Sequence, residues 1–554
     1  MKLFRKVLLL LLWMGAGWAI SGCSPSESAS PTGSSKTGLV APRPDAAAKM
    51  FEGPDVLSLS LVIEPAEQAR LAENAREYVR CRLVETGGDE WSEVGVKLKG
   101  AAGSFNELDG KPALTLKLDK FRKKSAQSFH GLTKFHLNNS VQDETYLHEW
   151  VCSGLFREAG VPTPRVAHAR VVLNGRDLGL YVLKESFDRQ FIARHFASHD
   201  GNLYDGGFCQ DLDADLERDV GSGDDTHADQ HALLEACRLP NLEERWAKMA
   251  THLDVEAFLT FAAMELMTGH WDGYCLNRNN YRLYFEAPTQ KGYFLPHGMD
   301  QMFGDPGAGI LDRPNVIVAG AVFENPVWRT RFRERIRELL PLFDPPDRLL
   351  ERVDRMVPRL QAALASFDPG QAAAYPEKIE DLKNRLTARA ANLREQSEQP
   401  DPPPPGPLEF EGDAGVELAD WQPASESDDA VLEVVELPME QAAYLIRCGG
   451  GGPCVASWRR QVLLSRGEYR LVASAKTTDV VPRDDERGTG AGLRISGSSR
   501  ERGLEGTSAD WQPLEYRFSV AEDVQEIVLV AELRATAGEV QFDTRSLKLF
   551  RLPD

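Results

Sequence analysis

The 554-residue sequence has eight cysteines but no Cys-x-x-Cys pair, which excludes a structural zinc site built on paired thiolates. No stretch of it reads as a basic groove: 64 lysines and arginines stand against 84 acidic residues, for a net charge of −20. Nucleic-acid binding, which depends on neutralising phosphates, is therefore not expected. Beyond the first twenty residues no apolar run is long enough to cross a bilayer, and there is no internal repeat. What is present is an acidic chain with 42% hydrophobic residues, ample for two packed domains.

At the N-terminus Lys2, Arg5 and Lys6 precede the run VLLLLLWMGAGWAI, which leads into Ser21-Gly22-Cys23. A basic start, a short apolar core and small residues before a cysteine predict a signal peptide with a lipobox over residues 1–23, rather than an uncleaved transmembrane helix. Cys23 is the expected lipidation site, so the chain would be held to a membrane by acyl chains from its outer side. Ser24 stands where an inner-membrane lipoprotein usually carries Asp, which points to the outer membrane or cell surface of the envelope. Residues 24–49 open with SPSESASPTGSSKTG, too poor in large apolar side chains to fold, and read as a disordered tether. A Pro-rich linker, SEQPDPPPPGP, occupies 397–407. The expected fold class is α+β, with a mixed domain over 50–396 and an all-β sandwich over 408–554.

Within the first domain EVGVKLKG alternates Val94, Val96 and Leu98 against Lys97 and Lys99, a strand with one apolar and one cationic face. QDETYLHEWVCSGLFREAGVPTP predicts a helix with Asp143 as N-cap, apolar Leu147, Val151 and Leu155, and Gly160 as its stop. Asn174-Gly175 predicts a hairpin turn, and Asp188 a cap for a helix running towards Phe196. Asp211, Asp213 and Asp215 resemble the start of a calcium loop, but Leu216 and Ser222 stand where an EF-hand needs Gly and Glu, so a solvated acidic insertion is expected instead. Helical patterns follow over 241–268 and 323–395.

Residues 269–304, GHWDGYCLNRNNYRLYFEAPTQKGYFLPHGMDQMFG, read as a hairpin with strands near Tyr281–Phe285 and Tyr293–Leu295. Antiparallel pairing brings its open ends together. Asn277 and Asn280, just before the first strand, should then lie near Asp300, just after the second, with Asp272 earlier in the same loop. Carboxylates and carboxamides are oxygen ligands suited to Mg²⁺ carrying nucleotide phosphates. The order of these residues is also that of the protein-kinase catalytic loop and its metal-binding Asp. Lys97 or Lys99 on a strand, with Glu149 on the following helix, suit phosphate positioning. The competing account is that these Asp and Asn residues merely cap loops.

VGVKLKG, GLTKFHLNNSVQDETYLHEWV, VVLNGRDLGLYVLKESFDRQFI, GNLYDG, WDGYCLNRNNYRLY and HGMDQMFG together resemble the CotH kinase family over most of residues 55–345. The resemblance implies an atypical protein-kinase fold and phosphorylation of extracytoplasmic proteins with ATP and Mg²⁺ or Mn²⁺. It gives Asp272 the catalytic-Asp role, Asp300 the metal-Asp role, and Asn277 or Asn280 the metal-side partner. Two positions depart from the family's usual pattern: Lys97-Leu98-Lys99-Gly100-Ala101-Ala102 replaces Arg-x-Lys-Gly-Asn-Ser, and a turn that often holds two aspartates has Gly298 and Asp300. The alternative function is a non-catalytic surface scaffold or adhesion lipoprotein with a degenerate kinase-like domain. Retention of Asp272, Asn277, Asn280 and Asp300 favours the enzyme, whose partner would be a protein phosphoacceptor.

From 408 onward, segments such as YRLVASAKT, LEYRFSV and QEIVLVAEL alternate between Gly-rich turns. They loosely resemble the jelly-roll carbohydrate-binding modules of secreted enzymes. Trp421, Trp458 and Trp511 could stack on a glycan if exposed, or fill the core. Cys448 and Cys454 flank a short loop that a disulfide could close in the oxidising envelope.

Overall fold

Seven alternating strands close into a barrel: β1 (Val56–Val62), β2 (Val79–Glu85), β3 (Glu90–Lys99), β4 (Ala113–Lys117), β5 (Lys134–Asn138), β6 (Val166–Leu173) and β7 (Arg176–Glu185). Their order is β1-β2-β3-β4-β5-β7-β6, and the parallel β1–β6 pair completes the ring. The computed structural model describes residues 45–553 apart from 54, 102, 123–126, 222–225, 312–313, 315, 401–405, 413, 428–429, 438–440, 450–453 and 484–487. The expected signal peptide, Cys23, most of the tether and the central prolines of the linker lie outside the described residues.

Alternation decides what each barrel strand presents. Val94, Val96 and Leu98 of β3 join Leu114, Leu116, Phe135, Leu137 and Leu183 in an apolar interior. The other face is polar, because side chains alternate across a strand. In register across it run Lys97 of β3, Thr115 of β4, His136 of β5 and Lys184 of β7. The β6–β7 turn is the expected hairpin, with Asn174 and Gly175 both at positive φ.

Helices α1 (Ala48–Glu52) and α2 (Pro65–Glu73) flank the barrel's first strand in sequence, and α3 (His148–Glu158) follows β5. The α3 helix starts five residues after Asp143, later than the sequence suggests. Asp143 instead holds a turn, accepting from the Thr145 N–H and, at 2.9 Å, from the His148 N–H that opens the helix. In α4 (Arg189–His195) Asp188 is the cap, accepting from the N–H groups of Gln190 and Phe191.

A second, four-stranded sheet has the order β11-β10-β8-β9, with β8 (Asn202–Asp205), β9 (Glu217–Val220), β10 (Tyr281–Glu286) and β11 (Lys291–Pro296). The remaining helices are α5 (Ala228–Cys237), α6 (Leu242–His252), α7 (Val255–Met267), α8 (Tyr274–Asn277), α9 (Ile317–Glu324), α10 (Pro326–Leu339), α11 (Asp347–Ala365) and α12 (Pro369–Glu398); α6 and α7 pack on β11, whereas α11 packs on α3, β1 and β7. The helical pattern over 241–268 breaks at Asp254, which caps α7 through the Ala257 N–H. The pattern over 323–395 resolves into several helices. In the acidic stretch Asp211 is buried and accepts from the Tyr274 hydroxyl and the Leu212 and Ile317 N–H groups, while Asp213 pairs with Arg238. The expected solvated insertion is therefore only partly so: Asp211 is buried and holds α8 and α9 through Tyr274 and Ile317, while Asp213 stays at the surface.

From Val416 the chain is all β, dominated by two long paired strands, Cys454–Val481 and Gln512–Ala535. Trp421 and Trp458 are core residues whose indole N–H groups bond to the Leu418 and Leu445 carbonyls; Trp511 is 36% exposed. Of the three tryptophans considered for sugar stacking, two are therefore spent on packing. Cys448 and Cys454 form a disulfide, and Cys81, Cys152, Cys209, Cys237 and Cys275 are free thiols. The described residues pack as one compact unit. Arg245 on α6 is buried between Glu324 on α9 and Glu526 on the Gln512–Ala535 strand, at 2.6 and 2.9 Å.

Candidate functional site

The β10–β11 hairpin builds one side of the site. Tyr281 pairs with Pro296, and the next residues out extend the ladder, the His297 N–H donating to the Asn280 carbonyl at 2.8 Å. The loop before β10 and the turn after β11 thus lie side by side. Gly298, at φ +54°, sits so close that a Cβ there would lie 2.2 Å from Asn280 Oδ1. Glycine is required both by the left-handed backbone and by the carboxamide filling its side-chain space.

The loop itself hangs from α7. Glu265, fully buried, accepts from the Tyr274 and Cys275 N–H groups at 3.0 and 2.8 Å, satisfying the first donors of α8. Asp272 then receives three carboxamides: Asn277 at 2.6 Å, Asn279 at 3.0 Å and Asn280 at 2.7 Å. Asn279 was not singled out from the sequence; it falls between the other two in the run Asn277-Arg278-Asn279-Asn280, and its Asn type was its one signal. Trp271, beside Asp272, is half exposed.

The opposite side is the polar face of the barrel with α3. Glu149 is buried and forms an ion pair with Lys184, itself fully buried on β7. Asn138 donates to the same carboxylate at 2.7 Å and accepts from Lys99 Nζ at 2.6 Å. Burial opposes the charge on Glu149, but Lys184, with help from Lys99 and Asn138, outweighs it and holds the carboxyl below its usual range. Burial and the neighbouring Lys184 depress Lys99 to about 8. His297 is driven well below its ordinary value by burial and by Lys184, Arg282 and Lys99, so it is neutral and its Nδ1 accepts from Lys184 at 3.1 Å.

The structure thus gives Glu149 a partner other than either β3 lysine. Lys99 reaches the carboxylate through Asn138, and Lys97 lies apart, its ammonium 5.1 Å from the centre of the Tyr78 ring. The reason is strand order: β4 and β5 separate β3 from β7, and α3 springs from β5, leaving Lys184 nearest. Lys184 was missed because YVLKE reads from sequence as the end of a buried strand.

Asp300 connects the two sides. Its carbonyl accepts from His148 Nδ1 of α3 at 2.9 Å. Its carboxyl is pushed above the usual range by burial and by Glu149, with Asp143 adding to the effect. Among the described residues no side chain donates to this carboxylate, and no group of three or more His, Cys, Asp or Glu is gathered as a metal site. A nucleotide-borne Mg²⁺ needs one or two carboxylates and completes its shell with phosphate and water. Asp300 offers one such carboxylate, and of the two asparagines Asn280 is the one brought against the turn that carries it, while both donate to Asp272 through their nitrogens and keep a carboxamide oxygen for a cation.

The CotH kinase protein family model matches residues 96–393, more than half of the chain, and covers every residue of this site. Inner spore coat protein H of Bacillus subtilis is 25% identical over 207 residues, 33% of this chain and 56% of that protein. Spore coat protein homolog 1 of Rhizopus delemar is 27% identical over 184 residues, 31% of this chain and 30% of that protein. The chain thus spans little more than half of the first relative's length and less of the second's. Among solved structures, the carbohydrate-binding module TmCBM61 in complex with galactotriose aligns with 24% of this chain and 91% of its own, at 20% identity and a TM-score of 0.18. By the match over 96–393, this protein belongs to the CotH kinase protein family.

Proposed function

We propose that the protein is an ATP-dependent kinase acting outside the cytoplasm on Ser or Thr hydroxyls of envelope or secreted proteins. The observation that carries this reading is the buried Lys184–Glu149 pair facing Asp300, with Asp272 held by three carboxamides beside it. Lys184 and Lys99 supply cations for nucleotide phosphates, and Glu149 and Asn138 fix where those cations stand. Mg²⁺ or Mn²⁺, held by Asp300 with Asn277 or Asn280, would offset the charge of the phosphates when bound. Asp272 accepts the proton of the attacking hydroxyl, whose oxygen bonds to the γ-phosphorus as the bond to the ADP oxygen breaks. The three amides aim the Asp272 carboxylate without neutralising it.

The test is mass spectrometry for phosphoryl transfer with ATP and Mg²⁺ or Mn²⁺, alongside nucleotide-binding measurements. Asp300→Asn is expected to weaken metal-dependent nucleotide binding and abolish transfer together. Asp272→Asn should leave binding intact and slow transfer by about 10² to 10⁴-fold. Transfer at the parental rate in Asp272→Asn, or earlier melting of both variants without a selective kinetic defect, would favour the scaffold account. We further propose an envelope lipoprotein anchored through Cys23; Cys23→Ala should then leave the membrane fraction.

A further inference from the structure

The face of α3 that carries Trp150, Gly154, Arg157 and Glu158 is a second stripe, since residues three and four apart are neighbours on a helix. On α11, Arg348, Arg352, Arg355 and Arg359 recur at intervals of four, three and four and form a stripe of their own. With Phe51 and Glu52 at the end of α1, these stripes enclose an open cleft of about 400 Å³, within the range of about 300–1,000 Å³ typical of small-molecule sites.

The packing of the cleft is specific. A Cβ on Gly154 would stand 2.4 Å from Arg352 Nη1, so the guanidinium lies across α3 where a side chain would otherwise project. Glu158 pairs with Arg352 and, at 2.9 Å, with Arg348. Arg157 donates to the Ser153 carbonyl at 3.1 Å. Arg355 and Arg359 are exposed and, among the described residues, have no hydrogen bond or ion pair. Four arginines therefore line the cleft against Glu52 and Glu158 alone, in a protein of net charge −20. Burial and neighbouring arginines depress both Arg157 and Arg352 below the usual arginine range. Guanidinium forks match the oxygens of a phosphate group bidentately, and aromatic walls suit the less polar remainder of such a ligand.

We propose that the cleft between α3 and α11 binds a phosphate monoester, its dianionic head on Arg352, Arg355 and Arg359 and its remainder against Trp150 and Phe51. The bound anion ties α11 to the helix that carries Glu149.

The experiment titrates inorganic phosphate, a phosphoserine peptide and the same peptide unphosphorylated into the purified protein by calorimetry. Ionic strength is held constant and EDTA is present, so that no metal-dependent nucleotide-site binding contributes. Saturable binding of phosphate and of the phosphopeptide, but not of the unphosphorylated peptide, is expected. A tighter phosphopeptide identifies a phosphorylated side chain as the ligand, and equal affinities identify free phosphate; either result supports the site. The Arg355→Gln/Arg359→Gln variant should lose at least about tenfold in affinity through the missing charge-assisted contacts. Its melting temperature should not fall, because neither side chain has a partner to lose and Arg355 repels Arg352. Hydrogen exchange over residues 148–158 should slow on binding. Absent phosphate-dependent binding, unchanged affinity in the double variant, or unchanged exchange in α3 overturns the proposal.

Discussion

Lys99 and Lys184 face the same carboxylate network, but their environments divide the work between them. Lys184 is fully buried on Glu149, and removing one member of such a pair leaves an uncompensated charge, at a cost of about 3–5 kcal/mol. Lys184→Met should therefore lower stability, whereas Lys99 is part-buried and bonded to a neutral amide. The Lys99 value of about 8 lies below the 10.5 of a free lysine, so between those values the native chain has given up a proton that the unfolded chain keeps. The contribution of this group to stability thus rises with pH across that window. Its contribution to phosphate binding runs the other way, because the cation is lost above about 8. Under the proposed function, ATP affinity at fixed Mg²⁺ should fall as pH rises through 8, by up to about tenfold per unit. Lys99→Gln should bind more weakly at pH 7 and show no such fall; an identical pH profile in that variant would remove Lys99 from the phosphate site. At this scale the sequence was informative about residue types and silent about pairing. Glu149 could be placed on a helix and the β3 lysines on a cationic face, but which cation meets Glu149 depends on strand order around a barrel, which no local pattern encodes.

At the scale of elements, the hairpin was the most legible part of the site. Alternation on either side of the turn at residues 287–290 fixes the pairing of β10 with β11, and pairing alone brings Asn280 beside the turn that carries Asp300. The start of α3 was less legible, because Asp143 is a good cap by type but is used in a preceding turn. Gly298 shows how closely the hairpin ends must meet. Gly298→Ala places a side chain at φ +54° and a carbon 2.2 Å from Asn280 Oδ1. The left-handed backbone alone costs about 1–2 kcal/mol in an L-residue, and the clash must in addition shift Asn280 away from Asp272. Denaturant unfolding should show a loss of at least about 1 kcal/mol. A double-mutant cycle with Asn280→Ala should recover the part due to the clash, since the two residues are in contact. Strictly additive losses would mean that the loop and the turn are not held together by this approach.

The whole molecule depends on a contact that composition obscured. The run of prolines predicts a spacer between two independent bodies, yet Arg245 of α6 is 2% exposed and bonded both to Glu324 of the helical region and to Glu526 of the all-β unit. A long-range triad of this kind leaves no trace in periodicity, since its members are 79 and 281 residues apart. Its energetics are asymmetric. Arg245→Met removes the cation that the two carboxylates share, one of them almost fully buried, and should cost about 1–3 kcal/mol. Glu526→Gln keeps a hydrogen-bond acceptor for Arg245 and leaves the Glu324 pair intact, so its effect should be much smaller. If this triad couples the two parts, scanning calorimetry of Arg245→Met should separate the all-β unit from the rest as a distinct transition, while Glu526→Gln retains the parental profile. Equal stability of Arg245→Met and the parent would instead show that the remaining apolar contacts alone hold the all-β unit in place.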